Sequence, residues 1–202
     1  MMNSMNNVKE IISTVEKNFD LLNHEIIDKY QVSLIVNKKE VHHLLVFLKT
    51  NGWIQLSYLT AVDWIEENEF ELVYIVFNWD KPVHIQVRTR IERDVENASM
   101  DTILPIYPGC KYYEREVHEF FGIKFPGNPD YHKQLILEQF DDLPPLRKDF
   151  DPLAYAERKF PKRDYPEKFV NLEGKESEQA KRDITHERVE KLRTGGTKKW
   201  KK

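Results

Sequence analysis

Glu114 and His118 stand four residues apart in the run KYYEREVHEFF, a spacing that puts a carboxylate and an imidazole on one face of a helix. Such a pair is half of a carboxylate–histidine metal site. No second Glu lies four residues ahead of a His in the 202 residues. The plain reading is therefore a helix-surface pair, with a free-standing enzyme built on Glu114 and His118 as an alternative. His42 and His43 are adjacent, and adjacent helical positions diverge, so they do not share one metal. Cys110 is the lone cysteine. It has no disulfide partner and cannot supply the four thiolates of an iron–sulfur cluster. A thiol ahead of a helix can be reactive, but with no companion Cys it reads as a small structural residue. The seven glycines make no G-x-G-x-x-G or G-x-x-x-x-G-K pattern, so no dedicated nucleotide loop is expected. No catalytic, cofactor-binding or metal-ligating residue is assigned.

Two charged segments leave two readings each. Glu114-Arg115-Glu116 lies beside an apolar stripe of Tyr113, Val117, Phe120 and Phe121, and Arg115 and Glu119 are four apart. This is either the solvated face of an amphipathic helix or an arginine held between carboxylates as a bidentate anchor for another chain. Leu143-Pro144-Pro145-Leu146-Arg147-Lys148-Asp149-Phe150 can form neither a helix nor a central strand. It is either a surface linker or an extended arm docked on a partner, with Leu146 and Phe150 as plugs and Arg147 as a charged anchor.

The elements that must position these residues are legible in periodicity. Helical spacing marks Val8 to Phe19 and Glu40 to Thr50. Ile26 to Val36 reads as extended, and strands are expected at Trp53 to Trp64, Phe70 to Asn78 and Val83 to Ile91, with short polar connectors suited to antiparallel hairpins. Ser99 to Ile106 reads as a short helix and Lys111 to Phe121 as a longer one stopped by Gly122. The fold class expected is α+β, an antiparallel sheet with helices on one face, over residues 1–151. Residues 152–202 read as a long extended tail that wraps partner subunits. A short helix is possible there from Ser177 to Leu192.

Composition supports one sizeable core, with 40% hydrophobic residues. No apolar run reaches the roughly 18 residues of a membrane span, no signal peptide is apparent at the N-terminus, and the single cysteine suits a reducing compartment. Charge is uneven. Residues 152–202 hold 15 Lys and Arg against 9 Asp and Glu, whereas 1–151 hold 16 against 25. A nucleic-acid-binding module using the basic tail is a further alternative, but interleaved acids dilute a phosphate-tracking patch. Trp200 among lysines could touch anionic lipid or RNA.

Taken together, Tyr113 to Phe125, then Gly127-Asn128-Pro129-Asp130, then Pro145-Leu146-Arg147-Lys148-Asp149-Phe150 resemble the thirty-kilodalton (C-type) subunit family of respiratory complex I. The family pattern runs E-R-E-x-x-D-x-F-G-I-x-F-x-G-H-P-D and, after a leucine-rich stretch, P-L-R-K-D-F. Relatives occur in membrane-bound hydrogenases, sulfur-reducing complexes and F420H2 dehydrogenases. The resemblance implies a non-catalytic subunit of the peripheral arm of a membrane-bound, energy-converting oxidoreductase. It implies docking on the large hydrogenase-like, quinone-site subunit. Iron–sulfur clusters are then expected in partner subunits and none in this chain. The membrane would be reached only through partners, at the cytoplasmic face. The interface residues expected are Glu114, Arg115, Glu116, Leu146, Arg147, Asp149 and Phe150. Asn128 stands where complex I members usually carry His, and the charged C-terminal region departs from the family's usual ending. Both departures suit an archaeal or hydrogenase-like version.

Overall fold

Residues 2–94 and 97–160 are described by a computed structural model, the side chains of 2–7 excepted. Apolar residues at helical spacing wind Met2–Glu16 into α1, which buries Val8, Ile11, Ile12 and Val15. The run after it is not one extended segment. It splits into β1 (Leu21–Asp28) and β2 (Gln31–Val36), because the Asp28 carboxylate accepts the Tyr30 N–H at 2.6 Å. Such an aspartate turn offers the backbone an alternative to continuing the strand. Then follow α2 (Val41–Thr50), β3 (Gln55–Trp64), β4 (Glu69–Phe77), β5 (His84–Glu92), α3 (Cys110–Phe121) and α4 (Pro152–Lys159).

The α+β class is as expected. The five strands lie in the order β1-β2-β5-β4-β3. Three neighbouring pairs are antiparallel, but β2 and β5 run parallel, from Gln31 opposite His84 to Ile35 opposite Arg88. The sheet is thus mixed. A parallel pair needs a long crossover, and α2 with the β3–β4 hairpin supplies it. Val32, Leu34, Ile85, Val87, Phe70, Leu72, Tyr74 and Leu59 form one sheet face, and they join the apolar faces of α1, α2 and α3 in a single core. The opposite face carries Glu71, paired with Arg88 at 2.7 Å and with Arg90 at 3.4 Å.

The short helix expected from Ser99 to Ile106 does not form. The backbone there bonds across to 124–126 instead: Met100 N–H to Lys124 O at 2.9 Å, Lys124 N–H to Ala98 O at 2.9 Å, and Thr102 N–H to Pro126 O at 3.0 Å. With its donors satisfied by a distant segment, the stretch has no need of helical i→i−4 bonds.

The chain divides into two compact units at Pro152/Leu153. In the second, α4 is helical where an extended tail was expected, with the Arg158 guanidinium 5.5 Å from the Tyr155 ring. Most of the basic tail, including Ser177 to Leu192 and Trp200, and with it the expected wrapping of partners, lies outside the described residues.

Candidate docking surface

Helix α3 positions the charged motif, and its two sides do different work. Glu114 faces inward and is fully buried. Its carboxylate accepts from Thr102 Oγ1 at 2.7 Å, the Ile103 N–H at 2.9 Å, Cys110 Sγ at 3.2 Å and Asn128 Nδ2 at 2.8 Å. These contacts pull two irregular segments, 98–109 and 125–130, onto the helix. Gly127 is needed for the second. Its φ is +93°, and a Cβ there would meet Thr102 Cγ2 at 2.6 Å. Asn128, the departure from the family pattern, donates to this carboxylate. Cys110 is buried, and burial, then Glu114, pushes its thiol far above the ordinary range, so it is not poised as a thiolate.

His118 does not join Glu114. Its Nδ1 lies 2.9 Å from the Ile123 carbonyl, to which it must donate, and its ring stands edge-on to Tyr131 at 4.9 Å. Burial lowers its pKa. His42 and His43 also diverge: His42 Nε2 lies 3.1 Å from the Thr102 carbonyl, and His43 sits near Glu40. Among the described residues no three His, Cys, Asp or Glu side chains gather as a metal site.

The outer side of α3 clamps a loop. Arg115 donates to the Lys133 carbonyl at 3.2 Å and the Gln134 carbonyl at 2.6 Å. One turn on, Glu119 accepts three successive backbone N–H groups, from Leu135 at 2.9 Å, Ile136 at 2.8 Å and Leu137 at 3.0 Å. These two charges, whose spacing of four would let them pair with each other, instead grip the donors and acceptors of one strip of backbone. Charge-assisted bonds of this kind are about twice as strong as neutral ones. Glu116 accepts from the Tyr58 hydroxyl at 3.1 Å.

The same loop is held at its far end by the Pro-Leu-Arg-Lys-Asp-Phe segment. Gly122 caps α3 at φ +83°, and a Cβ there would come within 3.3 Å of Pro144. The Leu146 N–H donates to the Phe120 carbonyl at 3.0 Å. Beyond it runs an alternating chain of charges. Arg93 grips Asp63 at 2.6 and 3.0 Å and reaches Asp149 at 2.9 Å, and Arg147 holds Asp149 at 3.1 and 3.2 Å. The Lys148 N–H adds a bond to Asp63 at 2.7 Å. Both guanidiniums lie against the Phe70 ring, at 5.7 and 5.6 Å. Burial alone would raise the Asp63 pKa, but the Arg93 and Lys148 hydrogen bonds outweigh it and the net shift is down. Asp149 is lowered chiefly by Arg147.

Arg147 is thus buried within this chain, while Leu146 is 54% exposed. Phe150 is half-buried against Phe140, ring centroids 5.7 Å apart. Leu135, Ile136 and Leu143 are exposed with Leu146. An open cleft of about 370 Å³ is lined by residues that include His118, Glu119, Lys124, His132, Leu137 and Asp142. The sequence reading missed Asp63, Arg93 and the loop-holding role of Glu119. It also missed Leu135, Ile136 and Leu143, whose signal was three aliphatic residues in a stretch too short and too polar to form a core element.

Known proteins share this architecture. A family model described as "Respiratory-chain NADH dehydrogenase, 30 Kd subunit" matches residues 34–156. The chain is 32% identical over 145 residues to the C-type subunit of the NADH-quinone oxidoreductase of Rhodobacter capsulatus, covering 70% of each. It is 33% identical over 136 residues to the mitochondrial NADH-ubiquinone oxidoreductase 30.4 kDa subunit of Neurospora crassa. That match covers 65% of this chain and 47% of the relative, so this chain spans about half the length of the mitochondrial protein. Among solved structures, a chain of the membrane-bound sulfane sulfur reductase, an archaeal respiratory membrane complex, superposes with a TM-score of 0.73 at 34% identity. The alignment covers 79% of this chain and 96% of that one.

Proposed function

This chain belongs to the family of the respiratory-chain NADH dehydrogenase 30 kDa subunit, and from that premise we propose that it is a non-catalytic structural subunit of a membrane-bound, energy-converting complex I-like oxidoreductase. In this reading it sits in the peripheral arm and docks on the large hydrogenase-like, quinone-site subunit. Iron–sulfur clusters belong to its partners, and it reaches the membrane through them. No helix among the described residues is long and apolar enough to cross a membrane.

The observation that carries the reading is the use made of the motif residues. Glu114, Arg93, Asp63, Arg147 and Asp149 are internal braces. Arg115 and Glu119 hold a loop whose aliphatic side chains point into solvent. Charge placed to stiffen an apolar surface suits a docking part. Of the interface residues expected, Leu146 offers exposed apolar surface, while Glu114 and Arg147 act from within by fixing what the surface presents.

The test is purification of the tagged full-length chain from detergent-solubilised membranes of its host. The reading expects a large assembly that contains iron, with the iron staying in other chains when this one is dissociated. A chain recovered free, or one that catalyses a redox reaction alone, contradicts it.

A further inference from the structure

At one end of the sheet a row of residues crosses three strands. Gln31 on β2 stands opposite His84 on β5, and His84 stands opposite Phe77 on β4. Their strand neighbours Val32, Ile85 and Val76 belong to the core, so by alternation this row points to the other face, the one that carries Glu71. Aromatic rings gather on it. Phe77 lies against His84 with ring centroids 4.5 Å apart, and Trp79 stands edge-on to Phe77 at 5.0 Å. Tyr30, in the turn between β1 and β2, is 41% exposed, and Trp79 is 70% exposed. Asp28, Tyr30, Gln31, Phe77, Pro82 and His84 line an open recess of about 410 Å³ here.

The chemistry of this recess selects a cation. Asp28 is the one Asp, Glu, Lys or Arg among the lining residues. One of its carboxylate oxygens accepts the Tyr30 N–H at 2.6 Å, which leaves the second to a ligand. The Gln31 amide oxygen and a neutral imidazole at His84 are further acceptors. Aromatic faces attract ammonium and guanidinium groups through the ring quadrupole. Lys29 holds its ammonium 4.8 Å from the Tyr30 ring centroid but does not line the recess, and Lys81 lines a separate one against α1 and α2. An anion would meet the Asp28 charge and the ring faces, both repulsive. A purely apolar ligand would strip water from the Asp28 carboxylate and put nothing in its place.

We propose that this recess binds an organic cation, an alkylguanidinium or alkylammonium group, with Asp28 as its counter-ion and Tyr30 and Phe77 as the faces it rests against. The group can be carried by a small molecule or by an Arg or Lys side chain of another chain, since the recognising chemistry is the same. The site lies apart from the outer side of α3 and does not depend on the structural-subunit reading.

In the test, the full-length chain is irradiated with a diazirine-bearing alkylammonium probe, and the labelled residues are mapped by mass spectrometry. Labels are expected at 28–31 and 77–84. Ethylguanidinium is expected to chase them at roughly millimolar concentration, as suits an exposed ion pair backed by rings, while its neutral counterpart ethylurea does not. Asp28→Asn keeps an oxygen for the Tyr30 N–H and removes the charge, and Tyr30→Leu removes a ring face. Each is expected to lower labelling about fivefold at an unchanged thermal midpoint. Labels chased equally by ethylurea, or undiminished in Asp28→Asn, overturn the site. Labels that appear only in Lys29→Gln show the chain's own ammonium filling the recess and overturn it too. The assembled complex then separates the sources. Labels that persist there assign a free cation. Labels lost there, while a benzophenone side chain at position 80 marks an Arg- or Lys-bearing segment of another chain, assign a side chain. Labels lost with no such segment marked overturn the proposal.

Discussion

Glu114 and Glu119 sit on one helix, five residues apart, and each uses its carboxylate to hold irregular backbone in place. Glu114 is sealed in the core and binds the 98–109 and 125–130 segments. Glu119 is half-buried and binds the 135–137 backbone at the surface. The two carboxylates brace for different ends. The inner carboxylate is part of folding, because three of its four donors sit on buried residues with little access to water. The outer one shapes a surface, because its donors can be rehydrated when it is lost.

Substitutions should separate the two. Glu114→Ala removes the shared acceptor of four donors, three of them on buried residues, and is expected to destabilise the domain by about 4 kcal/mol, read as a fall in the denaturation midpoint. A loss no larger than that of a surface change would show that water fills the site and would erase the contrast. Arg93→Ala strands the buried Asp63 charge and is expected to cost about 3 kcal/mol. Proteolysis within 144–150 should rise with it, since the same guanidinium ties Asp149. Glu119→Ala should change global stability by no more than about 1 kcal/mol, yet amides 135–137 should lose their protection.

Acid should weaken the chain of charges that joins Asp63, Arg93, Asp149 and Arg147. Asp63 and Asp149 both have folded pKa values below the ordinary carboxylate range. Their contribution is therefore complete above that range and is lost as pH falls through the lower folded values. Stability measured from pH 6 downward should hold until below about pH 4, the ordinary Asp value, and then fall. With Asp63→Asn and Asp149→Asn combined, that acid limb should flatten. The smallest effect concerns Cys110. Its buried thiol should react with an alkylating reagent only as fast as the domain opens, and labelling at the rate of a free thiol would contradict its burial.

The sequence made the outline readable and the bracing much less so. Alternation in Val83 to Ile91 and helical spacing in Val8 to Phe19 and Glu40 to Thr50 mark elements by their apolar faces, and those elements exist. The parallel β2–β5 pair was not legible, because strand order depends on a crossover and not on local pattern. The missing helix at Ser99–Ile106 was not legible either, since its amides are satisfied by residues some 25 positions away. Arg115 and Glu119 suggested an i,i+4 ion pair. Their actual partners are backbone groups of a loop, which no side-chain spacing encodes. Arg147 read as an outward anchor because what buries it comes together only in the fold: the Phe70 ring under its guanidinium, and Arg93 holding its partner Asp149 from the other side.

The docking reading proposed above puts the contact with the assembly on the surface braced from the outer side of α3, and not on the sheet or the Glu114 core. Amide hydrogen exchange of the full-length chain, free and within the purified complex, tests it most directly. Protection at 131–146 is expected to rise sharply on assembly while the β4 and β5 amides, bonded within the sheet, change little. Equal exchange at 131–146 in the two states would contradict it.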